Sequence, residues 1–264
     1  MSVQRFVILS VARSGTNYFA SKIAFLPGVL FGWEPFNNVL DRWFDETTLF
    51  NGLPDATKDA LRNVKLRNLN HEEFYEAAFS PKSNIALPNV SALGFKIFPN
   101  HSSRLFWRIA TEPEMKVLLL ERENRFDTFA SLIRAYRIWA PLLWTDTPWT
   151  GTPEFGAGDL FRFDPIFFAS FVQSIDSIYD GLKLVLEQNK INCIHLRYDA
   201  FTNSDKEIAR ACDFLGVQYI DYKSMVKKEI TQNPYDLFHN SELVKEHIKR
   251  YYHQFWRDTV QEST

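Results

Sequence analysis

Apolar positions follow two rhythms along this chain, short unbroken runs and longer stripes at helical spacing. The first run, Arg5 to Val11, is β-branched and continuous, the pattern of a strand covered on both faces as in a parallel sheet. A short turn follows. From Ser14 onward Tyr18, Phe19, Ala20, Ile23 and Ala24 then make a helical stripe that ends near Pro27 and Gly28. Val29 to Phe31 predicts a second strand, and three more runs extend the sheet: Leu93 to Phe98, Met115 to Leu120 and Ile191 to Leu196. Helical spacing occupies Phe126 to Trp139, Pro165 to Gln188, Asp205 to Leu215 and Ser241 to Trp256. That alternation predicts α/β architecture, with no internal repeat.

A length of 264 residues with 45% hydrophobic content is compatible with one large domain over residues 1–264. The stretch Pro141 to Asp164 stands apart. It combines Pro, Gly and Thr with Trp144, Trp149, Phe155, Phe161 and Phe163, and is longer than an ordinary connection. It reads either as a lid or acceptor-binding loop, or as a surface excursion pinned by its aromatics. The formal net charge of −2 argues against a general nucleic-acid binder, so any phosphate site must be local. The apolar run before Arg13 is too short for a signal segment or a membrane span, which sets the cytoplasm as the expected compartment. Cys193 and Cys212 form no Cys-x-x-Cys pair, and reduced, buried thiols are expected.

Candidate chemistry begins where the first strand meets the first helix, at Val11-Ala12-Arg13-Ser14-Gly15-Thr16-Asn17. Unpaired amides and the positive end of a helix dipole make that junction a place for an anion. Gly15 lets backbone approach closely, Ser14 and Thr16 add hydroxyls, and Arg13 adds a planar cation. The plain alternative is a helix cap at Ser14 with Arg13 in water. The loop is not a Walker A motif, which needs a second glycine and a lysine directly before the hydroxyl residue; Gly15 stands in the lysine's place. A strand ending in Glu121-Arg122 enters a helix along which Ser131 and Arg134 lie off the apolar stripe.

With Arg-Ser-Gly-Thr after its first strand, this sequence resembles the PAPS-dependent sulfotransferase superfamily, whose donor is 3′-phosphoadenosine 5′-phosphosulfate. The resemblance implies a P-loop-NTPase-like three-layer fold, a central parallel sheet flanked by helices. It gives Arg13, Ser14, Gly15, Thr16 and Asn17 the donor's 5′-phosphosulfate, and Arg122 with Ser131 the 3′-phosphate. The interval from Arg122 to Ser131 is one residue longer than in the cytosolic branch, and Arg122-Glu123-Asn124 looks like the bacterial carbohydrate branch of trehalose and nodulation-factor type. His195 to Phe201, Phe214 to Val217, Thr231 to Pro234 and Asn240 to Val244 resemble later segments of the same group. Without the resemblance, Arg122 and Arg125 read as solvated partners of Glu121, Glu123 and Asp127.

Sulfuryl transfer needs an in-line acceptor oxygen, a base for its proton and stabilisation of the leaving phosphate, and requires no metal. Arg13, the amides of Ser14 to Asn17 and the Thr16 hydroxyl are expected to stabilise the leaving group. Glu34, in Trp33-Glu34-Pro35-Phe36, resembles the Glu-Pro-Phe or Glu-Tyr-Phe segment of carbohydrate sulfotransferases and is the expected base, its pKa raised by flanking aromatics. His101 and His253 are its rivals. Lys96 matches a lysine that points toward the transferring group in related enzymes. The expected acceptor is a sugar or glycolipid hydroxyl, with a phenol or small hydroxylated metabolite as alternative. Two other classes compete: a P-loop kinase or NTPase, with Glu121 as a magnesium-binding acid, and a non-catalytic carbohydrate-binding module suggested by 16% aromatic content.

Overall fold

The computed structural model describes residues 3–37, 70–80, 89–143, 160–221 and 233–256. They divide into two compact units, Met1–Glu121 with Tyr179–Lys227, and Arg122–Ile178 with Lys228–Thr264.

The first unit is built on five strands: β1 (Gln4–Leu9), β2 (Val29–Phe31), β3 (Ala92–Ile97), β4 (Lys116–Glu121) and β5 (Cys193–Arg197). They pair in the order β2-β3-β1-β4-β5, and every pairing is parallel. Each predicted apolar run is therefore a strand; Val29 to Phe31 matches at both ends and the others are displaced by one or two residues.

Alternation along the strands sorts the side chains onto two faces. Phe6 and Ile8 pair in register with Gly94 and Lys96, and Ile8 with Leu118, so these share one face. That face packs on α1 (Thr16–Ile23) and α7 (Lys206–Leu215) through Phe19, Ala20, Ile23, Ile208, Ala211 and Cys212, all buried. Val7 and Phe95 occupy the other face, where Phe95 meets Tyr75 and Phe79 at 6.1 and 4.5 Å between ring centres. Tyr75 belongs to α2 (His71–Ala78). Helices on both faces of a parallel sheet in this order make a three-layer α/β fold of the P-loop NTPase kind.

Gly94 is a condition of this packing: a Cβ there would lie 2.4 Å from the Phe6 ring, which itself stacks on Phe31 at 5.9 Å. Three short helices fall outside the sequence expectation: α2, α3 (Ser103–Ile109) and α6 (Tyr198–Asn203). Local caps hold the first two, with Asn70 Oδ1 accepting from Glu73 N at 3.1 Å and Ser102 Oγ accepting from Leu105 N at 3.5 Å.

The second unit contains α4 (Arg125–Leu143), the part of α5 (Pro165–Gln188) before Tyr179, and α8 (Ser241–Tyr251). Its core is aromatic, with Phe126, Phe129, Phe163, Phe168, Tyr235 and Phe238 all buried. Phe161 and Phe163, at the end of the aromatic stretch 141–164, are thus core residues; positions 144–159 lie outside the described residues. The single helix expected from Ser241 to Trp256 breaks at Tyr252, whose ring stacks on Phe255 at 6.0 Å as the chain enters a 3-10 turn, His253–Phe255.

Candidate active site

The loop between β1 and α1 is shaped by two left-handed residues, Arg13 at φ 70° and Gly15 at φ 80°. Ser14 between them is not left-handed, so the hand alternates along the loop. Such alternation turns successive amides toward one point, an anion-binding concavity. Gly15 serves a second need besides its conformation: a Cβ would meet the Tyr198 ring at 2.3 Å. The left-handed conformation at Arg13 costs on the order of 1 kcal/mol, strain of the kind that persists at functional sites. The first amides of α1 have no partner within the helix, and no side chain caps them.

Ser14 differs from expectation. Its side chain is fully buried, with Oγ 3.2 Å from the Tyr179 hydroxyl. The hydroxyl expected to meet an anion is turned inward, toward Tyr179. Thr16 is also buried, while Asn17 is exposed.

Around this loop the sheet's C-terminal edge assembles a charged cluster. After β2 the chain stays beside β3, with Gly32 N donating to Gly94 O at 2.8 Å and Lys96 N donating to Trp33 O at 2.7 Å. Trp33 then turns through φ 53° and delivers Glu34 to Lys96. Lys96 Nζ lies 2.7 Å from Glu34 Oε1 and donates to Asn17 Oδ1. It is 1% exposed and sits 5.6 Å from the Trp33 ring centre. Asn37 Nδ2 donates to Glu34 Oε2 at 2.7 Å, and His101 Nε2 approaches the same oxygen at 3.6 Å. Glu34, Lys96, Asn17 and His101 are thereby neighbours, although the sequence separates them by up to 84 positions, from 17 to 101. His253 lies in the second unit and is exposed.

The charge states follow from these contacts. Burial alone would push the Glu34 carboxyl upward, but the Lys96 ammonium, Asn37 and His101 outweigh it and hold the group below its ordinary value. The expected upward shift from flanking aromatics is corrected accordingly: the aromatics desolvate Glu34, and a buried cation reverses the result. Burial lowers Lys96, with Glu34 opposing and Arg13 adding repulsion. Burial pushes His101 down to about 4, against the pull of Glu34, so its imidazole is neutral at pH 7. At pH 7 the cluster thus holds an ionised carboxylate and a neutral histidine, with the Lys96 amine between Glu34 and Asn17.

Glu121, the candidate magnesium acid, is committed elsewhere. Its carboxylate is 5% exposed and lies 2.9 Å from Lys183 Nζ and 2.8 Å from His195 Nε2. Burial pushes the Cys193 and Cys212 thiols up to about 11, the expected inert state.

In the second unit Arg122 is 4% exposed, not solvated, and its Nη2 lies 3.2 Å from Asp127 Oδ2. Arg125 pairs with Asp176 at 2.8 Å. Asn124 Oδ1 accepts from Asp127 N at 2.9 Å and starts α4, which sets the direction of Asp127. Ser131, buried, stands one turn beyond Asp127 on the same helical face. An anion arriving here would share Arg122 with Asp127.

Sequence reasoning missed Tyr179, which packs against the first loop together with Tyr198 of the segment His195 to Phe201. Tyr179 carries no local signal, because its role arises only when α5 meets that loop.

No family model matches the sequence, and no curated protein matches it. Among solved structures the chain is similar to a sulfotransferase from Alicyclobacillus acidocaldarius, at 15% identity over 98% of this chain and 97% of that one, with a TM-score of 0.47. At that distance the fold class rests on the strand order and parallel pairing themselves.

Proposed function

We propose that this protein is a sulfotransferase that moves a sulfuryl group from PAPS to an acceptor hydroxyl, a sugar or glycolipid hydroxyl being favoured. The observation that carries the reading is the meeting of a candidate anion loop, Arg13 to Asn17, with a half-buried carboxylate, Glu34, and a buried lysine, Lys96, at the C-terminal edge of a parallel sheet.

In this reading the acceptor oxygen forms a bond to sulfur, the bond from sulfur to the phosphate oxygen breaks, and the acceptor proton passes to Glu34. Glu34 suits that task because it is ionised and, among the described residues, accepts hydrogen bonds from Lys96 and Asn37, which leaves room for a further donor. Arg13, Lys96 and the loop amides carry positive charge to the place where the leaving phosphate gains negative charge. Arg122 and Ser131 are assigned the 3′-phosphate. No step requires a metal, and PAP, the 3′-phosphorylated product, is the expected binding partner.

The kinase alternative needs a carboxylate at the end of β4 that is open to magnesium. Glu121 instead faces Lys183 and His195, which favours the sulfuryl reading. Glu34→Gln tests the base: turnover is expected to fall by about 10²–10⁴ with PAP affinity retained. Transfer at the wild-type rate would remove Glu34 from the mechanism.

A further inference from the structure

The side of the anion loop that faces away from a ligand is tied to one phenol. Tyr179, on α5 and 1% exposed, brings its hydroxyl to 2.8 Å from Leu120 O, 3.2 Å from Ser14 Oγ and 3.4 Å from Val11 N. Ser10 Oγ also donates to Leu120 O at 2.8 Å and lies 3.3 Å from the same phenol oxygen.

Proton counting assigns the donors. A phenol has one O–H and two acceptor sites. Burial holds the Tyr179 pKa above its ordinary value, so the O–H stays in place and goes to the Leu120 carbonyl. The Ser10 hydroxyl has its shortest contact to that same carbonyl, with the Val11 carbonyl at 3.2 Å as a second acceptor. The two acceptor sites of Tyr179 are then left for the Ser14 O–H and the Val11 N–H. Both bonds tie the loop's inner side to the end of β4.

We propose that Tyr179 is the positioning residue of this anion loop, acting through Ser14 and Val11 to fix the direction of the amides that meet the donor's phosphosulfate. The proposal rests on the reading of the loop as the donor site and deepens it. Arg13 is held in the left-handed region, a strained conformation for a residue with a side chain. The phenol's bonds, made at residues on either side of Arg13, hold that strained shape before a ligand arrives. Ser14 is accordingly a tether by its side chain and a ligand by its backbone.

Tyr179→Phe keeps the ring and removes one oxygen. The test measures amide hydrogen exchange and PAP affinity on the full chain. Exchange at positions 11–17 should rise about tenfold or more while β1, β3 and β4 keep their rates, and PAP affinity should fall about tenfold. Ser14→Ala should act in the same direction, and the double variant should be no worse than the more severe single one. Unchanged exchange in the loop, acceleration spread equally over the strands, or fully additive effects on PAP affinity would each overturn the proposal. If wild-type protein binds no PAP, the donor reading fails by itself, because loop exchange reports on Tyr179 without any nucleotide.

Discussion

A lysine buried to 1% exposure has to be stabilised by something, and Lys96 has Glu34 on one side and Asn17 on the other. That pairing makes Glu34 hard to read from sequence alone. A carboxylate before proline is an ordinary loop residue, and apart from the nearby Asn37 its partners lie on the third strand, at Lys96, and on the turn after it, at His101. Arg13 offers a cleaner separation of function from folding. Arg13→Gly removes the guanidinium and also relieves the left-handed strain, so stability should hold or rise by up to about 1 kcal/mol while turnover falls at least tenfold. Chemical denaturation and initial-rate assays on the same preparation check both halves. His101 sets a pH window. Its pKa falls from 6.5 in the unfolded chain to about 4 in the folded one, so between those values the unfolded state binds the extra proton. Folding stability should therefore be lost as pH drops from about 6.5 toward 4, by up to roughly 3 kcal/mol. His101→Gln should flatten that slope in a pH series of unfolding curves.

At the scale of elements, the strands were the most legible part of the chain. Five apolar runs predict five strands because a parallel sheet covered on both faces needs continuous apolar stretches, and helices such as Pro165–Gln188 carry a complete stripe. The helices His71–Ala78, Ser103–Ile109 and Tyr198–Asn203 are one or two turns long, too short for periodicity to mark. Their existence depends on caps and on burial of a few side chains against the sheet. The anion loop was legible in position and residue type, while the inward turn of Ser14 depends on Tyr179, 165 positions away. Gly94 is the sheet's most sensitive point. Gly94→Ala should destabilise the protein by about 1–3 kcal/mol through overpacking against Phe6, and Phe6→Leu in the same chain should restore part of the loss in a urea titration.

Across the whole chain, a formal charge of −2 coexists with concentrated local positive charge. Arg13 and Lys96 gather in the first unit, and Arg122 and Arg125 are buried in the second. On the proposed PAPS reading, donor binding rests on fixed groups of this kind and not on a general field, so its dependence on salt should be modest compared with a nucleic-acid binder. The aromatic stretch 141–164 shows how far sequence carries. Its last aromatics, Phe161 and Phe163, are core residues of the second unit, an outcome fixed by packing partners at Phe129, Phe168 and Phe238 that no local pattern announces. Calorimetry with PAP and with ATP separates the two nucleotide readings of the first loop. Metal-free PAP should bind the wild-type protein more tightly than ATP with Mg²⁺, and Arg13→Gly should weaken PAP binding. Tight magnesium-dependent binding of ATP with no binding of PAP would contradict the account.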